Sequence, residues 1–357
     1  MGTTKVAVAM SGGIDSSVTA LLLQEQGYDI VGITLQLWDS GEIESGCCSS
    51  KSVDDARAFA EKIGIPHFVV DVRSEFKNCV VKNFVDEYMS ARTPNPCVVC
   101  NPNVKWKSIL QKAEDLGCEK IATGHYAQFS CKDGRYFVTR GIDISKDQSY
   151  VMWHLSQEQL AKTMFPLGKY KKSEIRDLAS KYGFVELVQK SESQEICFIP
   201  DDDYRSFLKQ YVPDFSEKVK KGTYVSMDGK ELGTHEGYPF YTIGQRKGLG
   251  IALGVPAYVQ HVDKERNKIT IGFRDDLLTN DLLVSNLYFS KYESLQDIDN
   301  LSVKIRYNTQ PAPCTITSME SGLCKVHFEN PVWAVTPGQS AVFYEGNDLV
   351  AGGIIER

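Results

Sequence analysis

Two sets of residues in this chain have the types and spacing to do chemistry. The first is Ala9-Met10-Ser11-Gly12-Gly13-Ile14-Asp15-Ser16, continued by Ser17, directly after the apolar run Val6-Ala7-Val8. A buried strand that turns through Ser-Gly-Gly into an amphipathic helix (Val18, Leu21, Leu22) aims backbone N–H groups and a helix N-terminus at one point. That arrangement suits a polyphosphate. Glycine lets the backbone approach an anion with no side chain between them. Ser11, Ser16 and Ser17 add hydroxyl donors, and Asp15, which repels bare phosphate, is suited to Mg²⁺. The spacing Gly-x-x-x-x-Gly-Lys-Ser/Thr is absent, so this is not a Walker loop.

The second set is sulfur. Thr93-Pro94-Asn95-Pro96-Cys97-Val98-Val99-Cys100-Asn101-Pro102 carries three prolines, which predicts a rigid loop presenting two thiols. Cys197, in Ser193-Gln194-Glu195-Ile196-Cys197-Phe198-Ile199-Pro200, is a third candidate. Cys79 and Cys118 fit helix-core or helix-end positions, and Cys47-Cys48 falls in a Gly/Ser-rich loop; Cys131, Cys314 and Cys324 have weaker context. Three readings of Cys97, Cys100 and Cys197 stay open. Two of them do redox sulfur chemistry through a persulfide and a disulfide. All three ligate a metal centre, most naturally a 4Fe-4S cluster with one open iron. Or they are inert packing, for which a proline-locked loop is a poor place. Structural zinc would want a fourth ligand, and no second Cys-x-x-Cys supplies one.

The elements that must hold these groups alternate strand and helix over the first 125 residues. Asp29 to Leu37 and His67 to Val72 read as strands, with a helix starting near Ser52 and ending before Gly64 and Pro66 between them. Phe76, Val80, Phe84 and Tyr88 lie four apart on one helical stripe, and a further helix runs from about Asn103 to Leu116. Lys120 to Gly124 is a short strand. This βαβα order implies a parallel, doubly wound sheet whose ligands sit beyond the strand carboxyl ends. A hairpin is expected over 128–140 around Asp133-Gly134, and helices near Ser156 and from Ser173 to Tyr182. From about Lys218 short alternating runs separated by turns predict antiparallel β structure with a small C-terminal barrel.

The chain has 357 residues, ten cysteines and a net charge of −6, so bulk electrostatics do not announce a nucleic-acid partner. Residues 162–190 are an exception, with seven Lys/Arg against three acidic residues. This segment and Lys218-Val219-Lys220-Lys221 are either solvated surface or a track for phosphates. There is no apolar run of membrane length and no signal pattern, and the cysteine usage fits a reducing cytosol, so a cytoplasmic location is expected.

The Ser-Gly-Gly-x-Asp-Ser segment resembles the loop of ATP pyrophosphatases, which split ATP between the α and β phosphates. Across nearly its whole length the chain resembles bacterial tRNA-specific 2-thiouridylases. The likeness rests on Ser11 to Ser16, Asn95 to Asn101, Ala122-Thr123-Gly124-His125-Tyr126, Lys146-Asp147-Gln148, Ile196 to Ile199, Gly244-Gln245-Arg246-Lys247-Gly248-Leu249-Gly250 and Arg306-Tyr307. It implies a catalytic ATP-pyrophosphatase domain (1–205), a small central adaptor (206–275) and a C-terminal β-barrel (276–357). Ala9 to Ser16, Leu35 and Gly124 would hold ATP. Asn95, Pro96 and Cys97 would face the target base. Cys100 would be the nucleophile and Cys197 the persulfide carrier. Lys146, Asp147, Gln148, Arg306 and Tyr307 would contact tRNA. Many members have Asp where this chain has Cys97, and that change creates the third thiol. Leu35 stands where Met is expected, and either can pack on adenine.

The family reaction puts sulfur on C2 of the wobble uridine, position 34, of tRNAs for Lys, Glu and Gln. The C2 oxygen is a very poor leaving group, and adenylation lets it depart as AMP. The α-phosphate then needs N–H donors, Mg²⁺ and a Lys or Arg for the developing charge. Sulfur would come from a cysteine desulfurase or a relay protein. Two routes are open: a Cys197 persulfide resolved by Cys100, or sulfide carried on a cluster held by Cys97, Cys100 and Cys197. RNA recognition would use shape, backbone and one extruded base, with Arg306-Tyr307 on a strand and Gly244–Gly250 as a loop closing over the site. The alternatives are another adenylating enzyme of the same loop type acting on tRNA, or a binding scaffold that no longer turns over ATP.

Overall fold

The computed structural model describes residues 3–38, 50–189, 196–199, 203–251, 253–295, 298–320 and 322–356. Cys47, Cys48, Ser193, Gln194 and Glu195 lie outside the described residues.

Three apolar side chains, Val6, Ala7 and Val8, are wholly buried, so β1 (Lys5–Ala9) can only be an interior strand. It is the middle of a five-stranded parallel sheet, flanked by β2 (Asp29–Gln36) and β4 (Lys120–Ala122), with β3 (His67–Asp71) and the short β7 (Thr163–Met164) at the edges. Helices α1 (Ile14–Glu25) and α2 (Ser50–Ile63) are crossovers of this sheet. The doubly wound expectation holds, and the loop Met10–Gly13 lies at the carboxyl end of the central strand.

The stripe Phe76, Val80, Phe84, Tyr88 is buried along a helical run made of α3 (Arg73–Phe76), a π-helical stretch Lys77–Val81 and α4 (Lys82–Met89). A strict spacing of four drifts by about 40° per step on a regular α-helix. The wider π turn takes back part of that drift and keeps the four rings and methyls on the core side.

The cysteine segment differs from expectation. Pro96–Cys100 is not a loop but a helix (α5), running on through a π-helical stretch Asn101–Trp106 into α6 (Lys107–Asp115). Pro96 occupies the first helical turn, where its missing N–H costs nothing. Asn95 before it is extended, the conformation favoured ahead of proline. Pro102 falls in the π stretch, where the widened turn accommodates its ring.

The hairpin β5 (Ala127–Lys132) and β6 (Arg135–Arg140) forms as expected. Helix α7 (Gln157–Ala161) starts at a Ser156 capping box, and α8 spans Lys172–Lys181. A second sheet has the order β10-β11-β8-β9, from β8 (Gly222–Ser226), β9 (Glu231–His235), β10 (Tyr258–Asp263) and β11 (Lys268–Gly272). It is not wholly antiparallel, because β8 and β11 run parallel.

The last six strands are β12 (Leu278–Phe289), β13 (Leu301–Lys304), β14 (Ala312–Glu320), β15 (Leu323–Trp333), β16 (Ser340–Glu345) and β17 (Asp348–Ile355). They close into an antiparallel barrel through the β12–β17 pairing. Arg306-Tyr307 lie not on a strand but in the turn after β13, which ends at Lys304.

The barrel is packed onto the first domain. Hairpin strand β6 pairs with β17 at Thr139 and Asp348. Tyr150 Oη donates to Ser340 O at 2.9 Å, and Trp153 Nε1 donates to Ser340 Oγ at 3.0 Å. One apolar cluster runs from Ala7 and Val31 through Tyr150 and Trp153 to Val342 and Leu349. No helix among the described residues is long and apolar enough to cross a membrane.

Candidate active site

The strand-to-helix loop is held in a tight turn against its neighbours. Gly12 has φ +72°, and a Cβ there would stand 2.5 Å from Ser52 O. Gly124, after β4, lies so close that a Cβ would stand 2.8 Å from the backbone of Asp15 and Ser16. Ser16 Oγ ties the loop together, accepting from Ser11 N at 3.2 Å and donating to Gly13 O at 3.1 Å. Helix α1 has no side-chain N-cap, and Ser17 Oγ is buried with no hydrogen-bond partner among the described residues. An anion at this N-terminus would meet uncapped donors. Met10, Ile14 and Leu35 are buried apolar groups of the same rim.

Asp15 is not free. Lys172 Nζ donates to both of its carboxylate oxygens at 2.8 Å, and Tyr126 Oη donates to Oδ1 at 2.7 Å. Lys172 is the first residue of α8 and its own N–H donates to Asp143 Oδ2 at 2.9 Å, which fixes where its side chain starts. It is 7% exposed. In sequence Lys172 is one of seven cations in the basic run 162–190; only the fold separates it from the rest and brings it to the loop. Elsewhere in that run Lys162 pairs with Glu114 and Glu158, and Glu186 pairs with Lys62. Lys221 pairs with Glu236.

The thiols divide by exposure. Cys97 is exposed, Cys100 is 3% exposed in the core cluster, and Cys197 is partly buried against the same cluster. Cys97 and Cys100, three apart in one helix, share a face. Cys197 sits in a tight turn closed by Ile199 N to Ile196 O. The turn is anchored by Phe198, whose ring meets Phe84 at 5.2 Å, Phe76 at 5.4 Å and Phe207 at 5.5 Å. Among the described residues no group of three His, Cys, Asp or Glu is placed to hold a metal ion, so the three thiols are not arranged as a ligand set.

The barrel grips the segment that leads into α5. Thr93 N donates to Pro337 O at 2.9 Å, and Gln339 Nε2 donates to Thr93 O at 2.9 Å and Pro94 O at 3.1 Å. Arg92 bridges Glu87 of α4 (2.8 Å) and Glu356 after β17 (2.5 Å). Burial alone would lower the Arg92 pKa, but the two carboxylates outweigh it and raise it. Thr93 Oγ1 also bonds Thr242 Oγ1 at 3.1 Å, just before the Gly244–Gly250 turns. Those turns lie against the barrel, with Gly244 beside Ala334 and Trp333.

The remaining sequence candidates meet at this seam. Asp147 is 4% exposed, and Gln148 bonds Tyr126 in both directions, its Oε1 accepting from Tyr126 N at 3.0 Å. Both therefore hold protein structure. Lys146 is half-buried beside them. Arg306 donates to Ala334 O and to Thr336 Oγ1. Tyr307 is pushed up to about 12, by burial first and then by the charges of Asp147 and Cys97.

Residues 4–201 match the family described as tRNA methyl transferase HUP domain, 205–273 the tRNA methyl transferase PRC-barrel domain, and 279–355 the aminomethyltransferase beta-barrel domain. The tRNA-specific 2-thiouridylase MnmA of Amoebophilus asiaticus (strain 5a2) is 52% identical over 359 residues, covering 99% of this chain and 95% of the relative. That of Cytophaga hutchinsonii is 49% identical over 358 residues, covering 99% and 97%. That of Salinibacter ruber is 50% identical over 361 residues, covering 99% and 94%. These matches run the full length of the chain, and the chain belongs to the tRNA-specific 2-thiouridylase family.

Proposed function

We propose that this protein is an ATP-dependent tRNA sulfurtransferase that converts the wobble uridine to 2-thiouridine. The observation that supports it best is the loop after β1, where an uncapped helix N-terminus meets Lys172, in a chain whose Cys97 and Cys100 share one helix. ATP binds across Ala9–Ser16, Leu35 and Gly124, with Mg²⁺ carried on the phosphates. The C2 oxygen attacks the α-phosphate and pyrophosphate leaves. Backbone donors and Lys172 take up the charge that develops.

Sulfur transfer follows on the thiols. A donor protein, a cysteine desulfurase or a relay, loads Cys197 as a persulfide. Its terminal sulfur attacks C2 and expels AMP. Cys100 then attacks Cys197 Sγ; the S–S bond breaks, its electron pair stays on the sulfur at C2, and 2-thiouridine leaves a Cys100–Cys197 disulfide. A thiol reductant reopens that disulfide for the next turnover. Asn95, Pro96 and Cys97 face the base, with Cys97 an accessory thiol. The tRNAs for Lys, Glu and Gln are the proposed substrates, and 1–205, 206–275 and 276–357 the working units.

The test is nucleoside mass spectrometry of tRNA incubated with protein, ATP and a persulfide donor. Wild-type protein is expected to form 2-thiouridine, and C100S and C197S to form none. Equal product from C100S would exclude the disulfide route. Iron and acid-labile sulfide, measured on protein purified without oxygen, are expected near zero in an active preparation. About four of each per chain, lost in C97A, would replace the persulfide route by a cluster.

A further inference from the structure

On β13, Leu301 and Val303 point into the barrel core, so the alternate residues Ser302 and Lys304 face outward, toward the first domain. Lys304 is 5% exposed. Its ammonium lies 5.6 Å from the Tyr150 ring centre and 5.4 Å from that of Tyr307, and it has no hydrogen bond or ion pair among the described residues. A lysine buried this deeply is ordinarily paired.

The nearby carboxylate cannot serve. Asp147 already accepts from Gly141 N (3.1 Å), Ser149 N (3.2 Å), Ser149 Oγ (2.8 Å) and Arg140 Nε (3.3 Å). Two residues on, Arg306 bonds only neutral acceptors and lies over the Trp333 ring at 5.3 Å. Burial lowers the Lys304 pKa, with Asp147 opposing and Arg140 adding to the shift. Lys304 and Arg306, with no carboxylate partner among the described residues, therefore lie beside Tyr307, which is 38% exposed. Unneutralised cations beside a presented ring are the elements of a nucleotide site, where the ring stacks a base and the cation takes the phosphodiester.

We propose that Lys304 binds a backbone phosphate of the substrate RNA next to the base presented to Cys97, and is kept unpaired within the protein for that purpose. The proposal rests on the tRNA reading above. Its stability signature is distinctive, because a mostly buried lysine with no ion-pair partner among the described residues adds little to the fold that a Met of similar length would not.

The experiment measures tRNA binding by fluorescence anisotropy over a potassium chloride series, with thermal melts of each variant. K304M is expected to melt at or above the wild-type temperature, to bind about tenfold more weakly at low salt, and to flatten the slope of log affinity against log salt by roughly 0.7–0.9. K304R is expected to keep the wild-type slope. Wild-type slope in K304M, or the same loss in K304R and K304M, overturns the assignment while leaving the tRNA reading intact. A K304M protein that melts well below wild type shows a structural lysine and overturns it too. Wild-type protein that binds no tRNA overturns both.

Discussion

The ammonium of Lys172 spans both carboxylate oxygens of Asp15 at 2.8 Å, joining the first helix of the chain to one that begins 157 residues later. With Tyr126 on the same carboxylate, the pair holds the phosphate loop in one geometry before any ligand arrives. In the proposed reaction the same cation that neutralises Asp15 meets the phosphate oxygens.

Lys172 should therefore matter for chemistry more than for folding. K172M is expected to slow tRNA-dependent pyrophosphate release by about 10²–10³, the usual effect of removing one donor from a developing anion. Asp15 is a third exposed, so the cost in stability should be small. Release at the wild-type rate would show that the pair is only structural.

The Arg92 bridge predicts a positioning effect at a distance. E356Q and R92K loosen the barrel's hold on Thr93 and Pro94 without touching substrate. Both should lower kcat more than they raise KM, with a stability loss of about 1–2 kcal/mol for this partly exposed pair. Burial would raise the Glu356 pKa, but Arg92 and Ser285 outweigh it and lower it. That stabilisation is complete above the unfolded carboxylate value of about 4.5 and is lost as pH falls through the folded value. Identical acid-melting curves for E356Q and wild type would contradict it.

Thiol reactivity should follow burial. Cys314 and Cys324 are buried in the barrel, which pushes them to about 12 and about 11. Brief iodoacetamide treatment of native protein at pH 8, read by peptide mass spectrometry, should label the exposed Cys97 and Cys131 first and spare Cys314 and Cys324. Early labelling of either barrel thiol would mean that the barrel opens locally.

His235 ties the second sheet to neutral pH. Its Nδ1 accepts from Gly237 N at 3.1 Å, so the proton sits on Nε2, toward Asn267 O at 3.3 Å. Burial lowers its pKa, with Asn267 and Glu236 opposing. A group whose folded pKa is lowered contributes stability above the unfolded value of about 6.5 and loses it as pH falls through the folded one. Melting temperature should thus drop below pH 6.5, and H235Q should flatten that dependence. His67, half-buried and bonded to Thr34 at 2.8 Å, adds an effect of the same sign.

By itself the sequence determined what is local. Val6-Ala7-Val8 followed by Ser-Gly-Gly dictates a buried strand, a tight turn and a helix, because hydrophobic period and glycine conformation act over a few residues. Asp133-Gly134 places the hairpin in the same way. Where local rules compete, reading the chain misplaced structure. Three prolines argued against helix over 93–102, yet Pro96 is where a helix tolerates proline and a π turn absorbs Pro102. What only the tertiary structure decided is pairing across long separations. Nothing near Lys172 distinguishes it from Lys169 or Lys171, and its role follows from α8 starting beside α1. Arg92 finds Glu356, and Lys304 finds two rings but no carboxylate, only once the barrel docks on the first domain. Such contacts depend on how whole elements pack, and the order of residues along the chain carries them only through the fold.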